Sequence, residues 1–201
     1  RERYGAPLAA GLWLAAPVID ELLALPGGPE RFAEDLSDRG LSCHTLNAFP
    51  YGDFHDERVK ENVYRPDWSD PRRLEYTTGC ARVLAALLPE GGEGSISTVP
   101  LAFKPFPRSS EFFDQAIGQL LELAGRLEQL RDSSGRLIRL AIEPEPACLL
   151  ETTDETIEFF GRLFERAADE RLSAIASEHL GVCFDVCHQA VEFEDVGASI
   201  E

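Results

Sequence analysis

The stretch GVCFDVCHQAVEFED occupies residues 181–195 and begins as an apolar run that ends in charged side chains. The residues up to Phe184 are apolar, and their β-branched and aromatic character is typical of a strand buried in a parallel sheet. Asp185 and His188 follow directly. Because an ionised carboxylate at the end of a buried strand is costly unless a partner stabilises its charge, the stretch predicts that Asp185 has such a partner.

Strand-like runs alternate with helical patterns along the whole chain. The runs are LAAGLWLAA from residue 8, LSCHTLNAF from 41, GSISTVPLAF from 94, RLIRLAIEP from 136 and HLGVCFDV from 179. This alternation favours parallel βα units. Two α/β architectures fit: a complete five-stranded doubly wound sheet, and part of a (β/α)8 TIM barrel. Since no G-x-G-x-x-G follows any of the runs, the dinucleotide-binding version of the open sheet lacks its usual support.

Helical periodicity is clearest over residues 109–130. Two more helices are predicted, one over residues 71–88 and one from Thr152 or Thr153 to about 168, where TTDE supplies an N-cap. The connection over residues 50–70 is long and rich in aromatic and charged side chains. A loop of this length more often covers a site than merely joins two elements.

The composition is that of one globular domain with an acidic surface. The 201 residues are 44% hydrophobic and 27% charged, and the net charge is −17. Phosphate binding is driven by clustered Lys and Arg, so we expect no nucleic-acid partner. The apolar stretches are shorter than the roughly 20 residues that span a bilayer, so we expect a cytoplasmic protein without membrane insertion.

The cysteines and the absence of methionine add two expectations. Five cysteines at irregular spacings do not form a disulfide framework, so we expect reduced thiols that pack in the interior and do not bind metal. The sequence has no Met, not even at position 1, from which we expect that it belongs to a longer chain.

Polar side chains follow the last two strand-like runs at the point where each run ends. Glu143 and Glu145 come after LIRLAI, and Asp185 and His188 come after GVCF. In either architecture the carboxyl ends of the strands lie on one face, and Glu143 shares a side of its strand with Ala141. Two carboxylates and an imidazole suit a divalent cation such as Mn²⁺, Mg²⁺ or Zn²⁺. The sequence therefore predicts a metal site formed by Glu143, Asp185 and His188.

A third strand end carries further candidates for the same face. Asn47, Tyr51 and His55 follow the run LSCHTL. Their amide, phenol and imidazole groups can donate to or accept from hydroxyl groups, so we expect them to bind substrate.

Structural roles are the alternatives for several of these residues. Asp185 could cap the following turn or helix, and Glu143 could pair with Arg139. Glu145 is the alternative metal ligand. His44 shares a strand face with Leu46 and is therefore expected to pack. The remaining histidine, His179, precedes a strand at the end opposite the candidate site and is expected to be structural or exposed.

The motifs also resemble those of a known superfamily. GVCFDVCHQAVEFED resembles the sixth-strand segment of xylose-isomerase-like barrels, in which an Asp-x-x-His pair ligates metal, and LAIEPEP resembles the fifth-strand segment, in which a Glu does. TLNAFPYGDFHDERVKENVYRPDWSDPRRLEYT, GSISTVPLAFK and IEPEPACLLETTDET are similar to EboE-type metabolite-traffic proteins, which are barrels of this superfamily. The resemblance implies that residues 1–201 form a single partial TIM-barrel domain containing strands two to six.

The resemblance also implies a function. It points to divalent-metal-dependent isomerisation or epimerisation of a sugar or a related polyol or carbonyl metabolite, with Glu143 and Glu145 as catalytic residues and a link to secondary-metabolite processing. The alternative is a metabolite-binding component of an export pathway that catalyses nothing. An endonuclease IV-like phosphodiesterase is less expected, because Ala15 and Asn47 stand where that enzyme has histidines.

Overall fold

The computed structural model describes residues 8–52 and 62–200, and its centre is a five-stranded parallel sheet. The strands lie side by side in chain order. A doubly wound sheet reverses its strand order at a switch point, whereas a barrel wall does not, so the order favours the barrel. The strands are β1 (Leu8–Trp13), β2 (Leu41–Asn47), β3 (Glu93–Thr98), β4 (Leu137–Ile142) and β5 (Leu180–Val182).

Helices occupy the connections between successive strands, as the alternation predicts. The helices over 71–88 and from Thr152 or Thr153 are confirmed within two residues at their ends. The helix predicted over 109–130 starts later, at Phe112, and ends later, at Ser134, where Gly135 forms the C-cap with a φ of 68°. None of the helices in the described ranges is long and apolar enough to cross a membrane. The helices are α1 (Ala16–Ala24), α2 (Gly28–Asp38), α3 (Pro71–Leu87), α4 (Phe112–Ser134), α5 (Thr153–Arg166), α6 (Glu170–His179), α7 (Val186–Val191) and α8 (Val196–Ile200).

The two faces of β4 differ in burial, and this difference orients the end of the strand. Ile138, Leu140 and Ile142 are all buried, at most 1% exposed, and α4 packs against the strand. The residues between them are only partly buried. Because successive side chains of a strand point to opposite faces, Ala141 and Glu143 share the face opposite to this apolar core.

A bulge in β2 overturns one expectation. Ala10 of β1 lies opposite Cys43, but Gly11 lies opposite Thr45, so His44 has no partner in the ladder. An extra residue in one strand breaks the two-residue period of its side chains. Cys43 is buried while His44 is exposed, so the prediction that His44 packs in the core is wrong.

His179 is a structural histidine at the amino-terminal end of the sheet. It is fully buried. Its Nδ1 lies 2.7 Å from the carbonyl oxygen of Ile138, and its Nε2 lies 3.0 Å from a carboxylate oxygen of Glu128. This hydrogen bond holds the pKa of Glu128 below its ordinary value. The imidazole thus ties α6 to β4 and α4, far from the carboxyl ends of the strands.

The start of α5 gives a direct test of the predicted cap. Thr152 Oγ1 accepts from the amide of Glu155, and the Glu155 carboxylate accepts from the amide of Thr152, which forms a capping box. We expect Thr152→Ala to lower the free energy of unfolding by about 1 kcal/mol in urea titrations. Thr152→Ser keeps the hydroxyl and should stay within about 0.5 kcal/mol of the parent; an equal loss in both variants would contradict the assignment.

Candidate metal site at the carboxyl end of the sheet

Glu143 and Asp185 both lie just past the ends of adjacent strands. The ladder continues beyond each strand, since the Glu143 amide donates to the Thr98 carbonyl at 3.1 Å and the Cys183 amide donates to the Ile142 carbonyl at 2.8 Å. Their side chains therefore start from neighbouring positions at one edge of the sheet. The ligand atoms of Glu143, Asp185 and His188 all lie within 4.8 Å of one another.

Asp185 has a structural role and also keeps an oxygen for the cluster. One carboxylate oxygen, Oδ1, accepts from the Cys187 amide at 2.7 Å, which makes Asp185 the N-cap of α7. The other, Oδ2, lies 3.7 Å from His188 Nε2. The hydrogen bond from Cys187 and the nearby imidazole keep the pKa of Asp185 below its ordinary value. The capping alternative is thus correct for Oδ1, and it leaves Oδ2 available.

The orientation of His188 follows from a bond to the main chain. Its Nδ1 lies 3.0 Å from the carbonyl oxygen of Pro144. A carbonyl can only accept, so Nδ1 is the ring nitrogen that donates here, and Nε2 is the nitrogen that faces Asp185 Oδ2. Metal-binding histidines characteristically donate their other nitrogen to a carbonyl or carboxylate in this way. The turn at Asp185 into α7 brings the imidazole round to the cluster.

Glu143 lies in an environment that disfavours its ionised form. Its side chain is half-buried, and burial raises the pKa of its carboxyl group. The carboxylates of Glu145 and Asp185 raise this pKa further, while His188 opposes them. Two carboxylates held this close repel each other unless a proton or a cation lies between them. The electrostatics therefore favour a bound positive charge at this edge of the sheet.

The donor set and its spacing fit a divalent cation. Two ligands on opposite sides of an ion stand roughly 4.4 Å apart, twice a ligand distance of about 2.2 Å. The three atoms are within 4.8 Å of one another, so small side-chain rotations suffice to bring them onto one ion. All three residues are partly buried, neither sealed off nor fully exposed. Two carboxylates with an imidazole suit Mn²⁺, Mg²⁺ or Zn²⁺.

Glu145, the other predicted catalytic carboxylate, lies beside this cluster and has a partner that the sequence did not indicate. Tyr64 Oη donates to Glu145 Oε1 at 2.5 Å. The two residues are 81 positions apart, so the contact depends on the tertiary structure. Glu145 is close enough to affect the pKa of Glu143, but it is not one of the three clustered ligands.

The residues expected to bind substrate lie beyond the end of β2. Asn47 is exposed, and its Oδ1 accepts from the Phe49 amide at 2.8 Å, which leaves the amide nitrogen as its outward donor. The ring of Tyr51 packs edge-to-face on Tyr76, with 5.2 Å between centroids. His55 lies outside the described residues. Substrate binding by this group stays a prediction.

The cysteines divide into two groups. Cys43, Cys80 and Cys148 are buried, and burial raises the pKa of each thiol, to about 12 for Cys80 and Cys148. These three pack as expected. Cys183 is only partly buried, and Cys187 is exposed on the short helix α7, so the prediction of a packed thiol is wrong for Cys187.

Comparison with known proteins identifies the fold. No family model matches the sequence, and no curated protein does. The apo form of the E. coli 3-keto-D-glucoside 4-epimerase YcjR matches with a TM-score of 0.53 and 14% identity, over 94% of this chain and 63% of the epimerase. The IOLI protein with a bound zinc atom matches with a TM-score of 0.52 and 15% identity, over 98% of this chain and 59% of that protein. An AP endonuclease of family 2 from Brucella melitensis matches with a TM-score of 0.50 and 14% identity, over 96% of this chain and 74% of the endonuclease.

These likenesses confirm the predicted fold class. The chain has the TIM-barrel fold of these structures and corresponds to part of such a barrel. It spans less than two thirds of the length of the first two structures, 63% and 59%. At identities of 14% to 15%, the likeness identifies the fold and leaves the activity open. The closer similarity to EboE-type proteins stays a prediction.

Proposed function

We propose that the protein is a divalent-metal-dependent isomerase or epimerase of a keto sugar or a related polyhydroxy carbonyl compound. The observation that carries the proposal is the cluster of Glu143, Asp185 and His188 at the carboxyl end of the sheet. This is the face on which TIM barrels bind their substrates. The E. coli structural neighbour is a 3-keto-D-glucoside 4-epimerase, and this activity suggests the substrate class.

In the proposed reaction the three clustered residues would hold the ion, and Glu145 would transfer a proton. Glu143, Asp185 through Oδ2 and His188 through Nε2 would hold the ion, and the ion would supply Lewis-acid chemistry toward the carbonyl and hydroxyl oxygens of the substrate. Glu145 takes the proton from the carbon beside the carbonyl, and in an isomerisation it returns this proton to the neighbouring carbon, the former carbonyl carbon, on the same face of the enediolate. An epimerisation instead needs a second acid on the opposite face of the substrate, which returns a proton to the first carbon with inversion.

The remaining residues of the proposal bind the substrate and orient it. The outward amide nitrogen of Asn47 and the phenol of Tyr51 are proposed to hold substrate hydroxyls, together with His55. Asn47 ends β2 and Tyr51 follows this strand, which lies two strands away from β4 in the sheet. Adjacent strands are about 4.8 Å apart, so the main chain at Asn47, the last residue of β2, stands roughly 10 Å from β4 across the sheet.

Exchange of substrate protons with solvent tests the proposal. The natural full-length protein is loaded with Mn²⁺ or Zn²⁺ and incubated in D₂O with ketohexoses and a 3-keto-glucoside. We expect metal-dependent incorporation of deuterium beside the carbonyl, seen by mass spectrometry. Glu145→Gln should reduce the rate by about 100-fold or more, with metal affinity retained because the three clustered ligands are unchanged.

Other outcomes separate the alternatives. Tight metal binding with no exchange on any of these sugars would contradict the enzyme proposal and favour a metabolite-binding component. Cleavage of DNA at abasic sites without sugar exchange would favour a phosphodiesterase. The net charge of −17 argues against the second outcome, because nucleic-acid binding relies on clustered cations.

A further inference from the structure

We infer that Tyr64 is the positioning residue for Glu145, holding this carboxylate in one orientation beside the Glu143, Asp185 and His188 cluster. The inference concerns a side chain of the loop after β2, and its catalytic part rests on the proposed function. Tyr64 Oη donates to Glu145 Oε1 at 2.5 Å. This distance is typical of a hydroxyl that donates to a charged carboxylate, the stronger kind of hydrogen bond in proteins.

The ring of Tyr64 is fixed, so its hydroxyl has a defined direction. The residue is only 7% exposed. Its ring stacks on that of Phe103, with 5.1 Å between centroids and 5° between planes, and Phe49 packs against it edge-to-face at 5.8 Å. Aromatic pairs in these arrangements stabilise each other beyond simple burial. The hydroxyl is therefore held in place before any substrate arrives.

The backbone of Glu145 is fixed by the same frame. Its amide donates to the Leu150 carbonyl at 3.1 Å, and its carbonyl accepts from the Cys148 amide at 3.2 Å. The Leu149 amide in turn donates to the Ala102 carbonyl at 2.9 Å, next to the Phe103 ring on which Tyr64 stacks. Donor and acceptor thus belong to one packed unit, and the freedom that remains is in the side-chain torsions of Glu145.

The hydrogen bond removes this last freedom. With Oε1 occupied by the phenol, Oε2 is the oxygen left to take up or release a proton. A base whose orientation is set in advance avoids the loss of rate that a displacement of about 1 Å can cause, which reaches roughly 100-fold. Removing the hydroxyl alone should leave the carboxylate present but free to rotate.

A spectroscopic experiment tests the orientation without metal or substrate. The natural full-length protein is labelled with ¹³C at the glutamate side-chain carboxyl, and Glu145→Gln assigns the Glu145 resonance. We expect Tyr64→Phe to shift this resonance by at least about 1 ppm or to broaden it, because the strong hydrogen bond is lost. Tyr76→Phe is the matched control, since it deletes a buried hydroxyl that donates to the carbonyls of Leu14 and Pro50. An unmoved resonance in Tyr64→Phe would overturn the inference.

A kinetic experiment tests the catalytic part. With Mn²⁺ and D-fructose as the probe in D₂O, we expect Tyr64→Phe to lower kcat for deuterium incorporation by about 10-fold to 100-fold and to leave KM within about twofold. The double variant with Glu145→Gln should lose no more than Glu145→Gln alone, because both changes act through one carboxylate. A Tyr64→Phe variant with full kcat would overturn the positioning role. If the parent itself exchanges no protons on any probe, the proposed function fails, and the carboxyl resonance alone decides whether Tyr64 orients Glu145.

Discussion

Replacing Asp185 with Asn or His188 with Ala is expected to weaken Mn²⁺ or Zn²⁺ binding by at least about 100-fold in calorimetric titrations of the natural full-length protein. Changes to residues that merely support metal ligands already cost 10-fold to 100-fold, and each of these variants removes a ligand. In the parent, metal at about 100 times its dissociation constant should add roughly 2.7 kcal/mol to the stability. Both variants should lose most of this gain.

Two features of the site make the experiment specific. Asn is itself a good N-cap, so Asp185→Asn keeps the bond from the Cys187 amide and removes the charge. Asp195→Asn is the matched control, because Asp195 Oδ1 accepts from the Ala198 amide at 2.9 Å and is not a member of the cluster. Metal affinity equal to that of the parent in both Asp185→Asn and His188→Ala would mean that Asp185 only caps α7.

Arg73→Met is expected to lower the free energy of unfolding by about 3 kcal/mol, because three buried carbonyl groups lose their donor at about 1 kcal/mol or more each. The Arg73 side chain is fully buried. It donates to the carbonyls of Pro66 at 2.7 Å, Ala48 at 2.6 Å and Phe49 at 3.0 Å. Burial lowers the pKa of Arg73 to about 10, so the guanidinium stays charged at neutral pH. Arg73 therefore neither takes up nor releases a proton near pH 7.

The neighbouring arginine provides the control. Arg72 lies one position earlier on α3, is largely exposed and pairs with Asp70. Exposed ion pairs contribute 0 to 1 kcal/mol, so Arg72→Met should change the stability by less than about 1 kcal/mol in the same urea titrations. Similar losses in the two variants would show that Arg73 does not anchor the segment after β2 as its contacts indicate.

The residues that could be predicted from the sequence are those placed by regular structure. The period of β4 puts Glu143 on the face of Ala141, and parallel strands bring their carboxyl ends to one edge, so Glu143 and Asp185 had to be neighbours. His188 followed from the short distance along the chain to Asp185. The TTDE cap was equally local, since all of its contacts lie within four residues.

The parts that could not be predicted depend on tertiary contacts or on local irregularity. The Tyr64 hydroxyl reaches Glu145 while its ring packs on Phe103, and no periodicity of the sequence encodes these tertiary contacts. In the sequence, nothing distinguishes Arg73 from other charged residues on a helix. In the structure, its side chain is buried and donates to main-chain carbonyls. Nothing in the sequence LSCHTL predicts the bulge at His44.

The central claim is that Glu143, Asp185 and His188 hold one divalent cation. The most direct measurement is a crystal structure of the natural full-length protein grown with Mn²⁺, with anomalous data collected at the manganese edge. The account predicts a single anomalous peak at about 2.0 to 2.4 Å from a Glu143 oxygen, Asp185 Oδ2 and His188 Nε2. A map with no peak at this edge of the sheet, with Asp185 bonded only to the Cys187 amide, would contradict it.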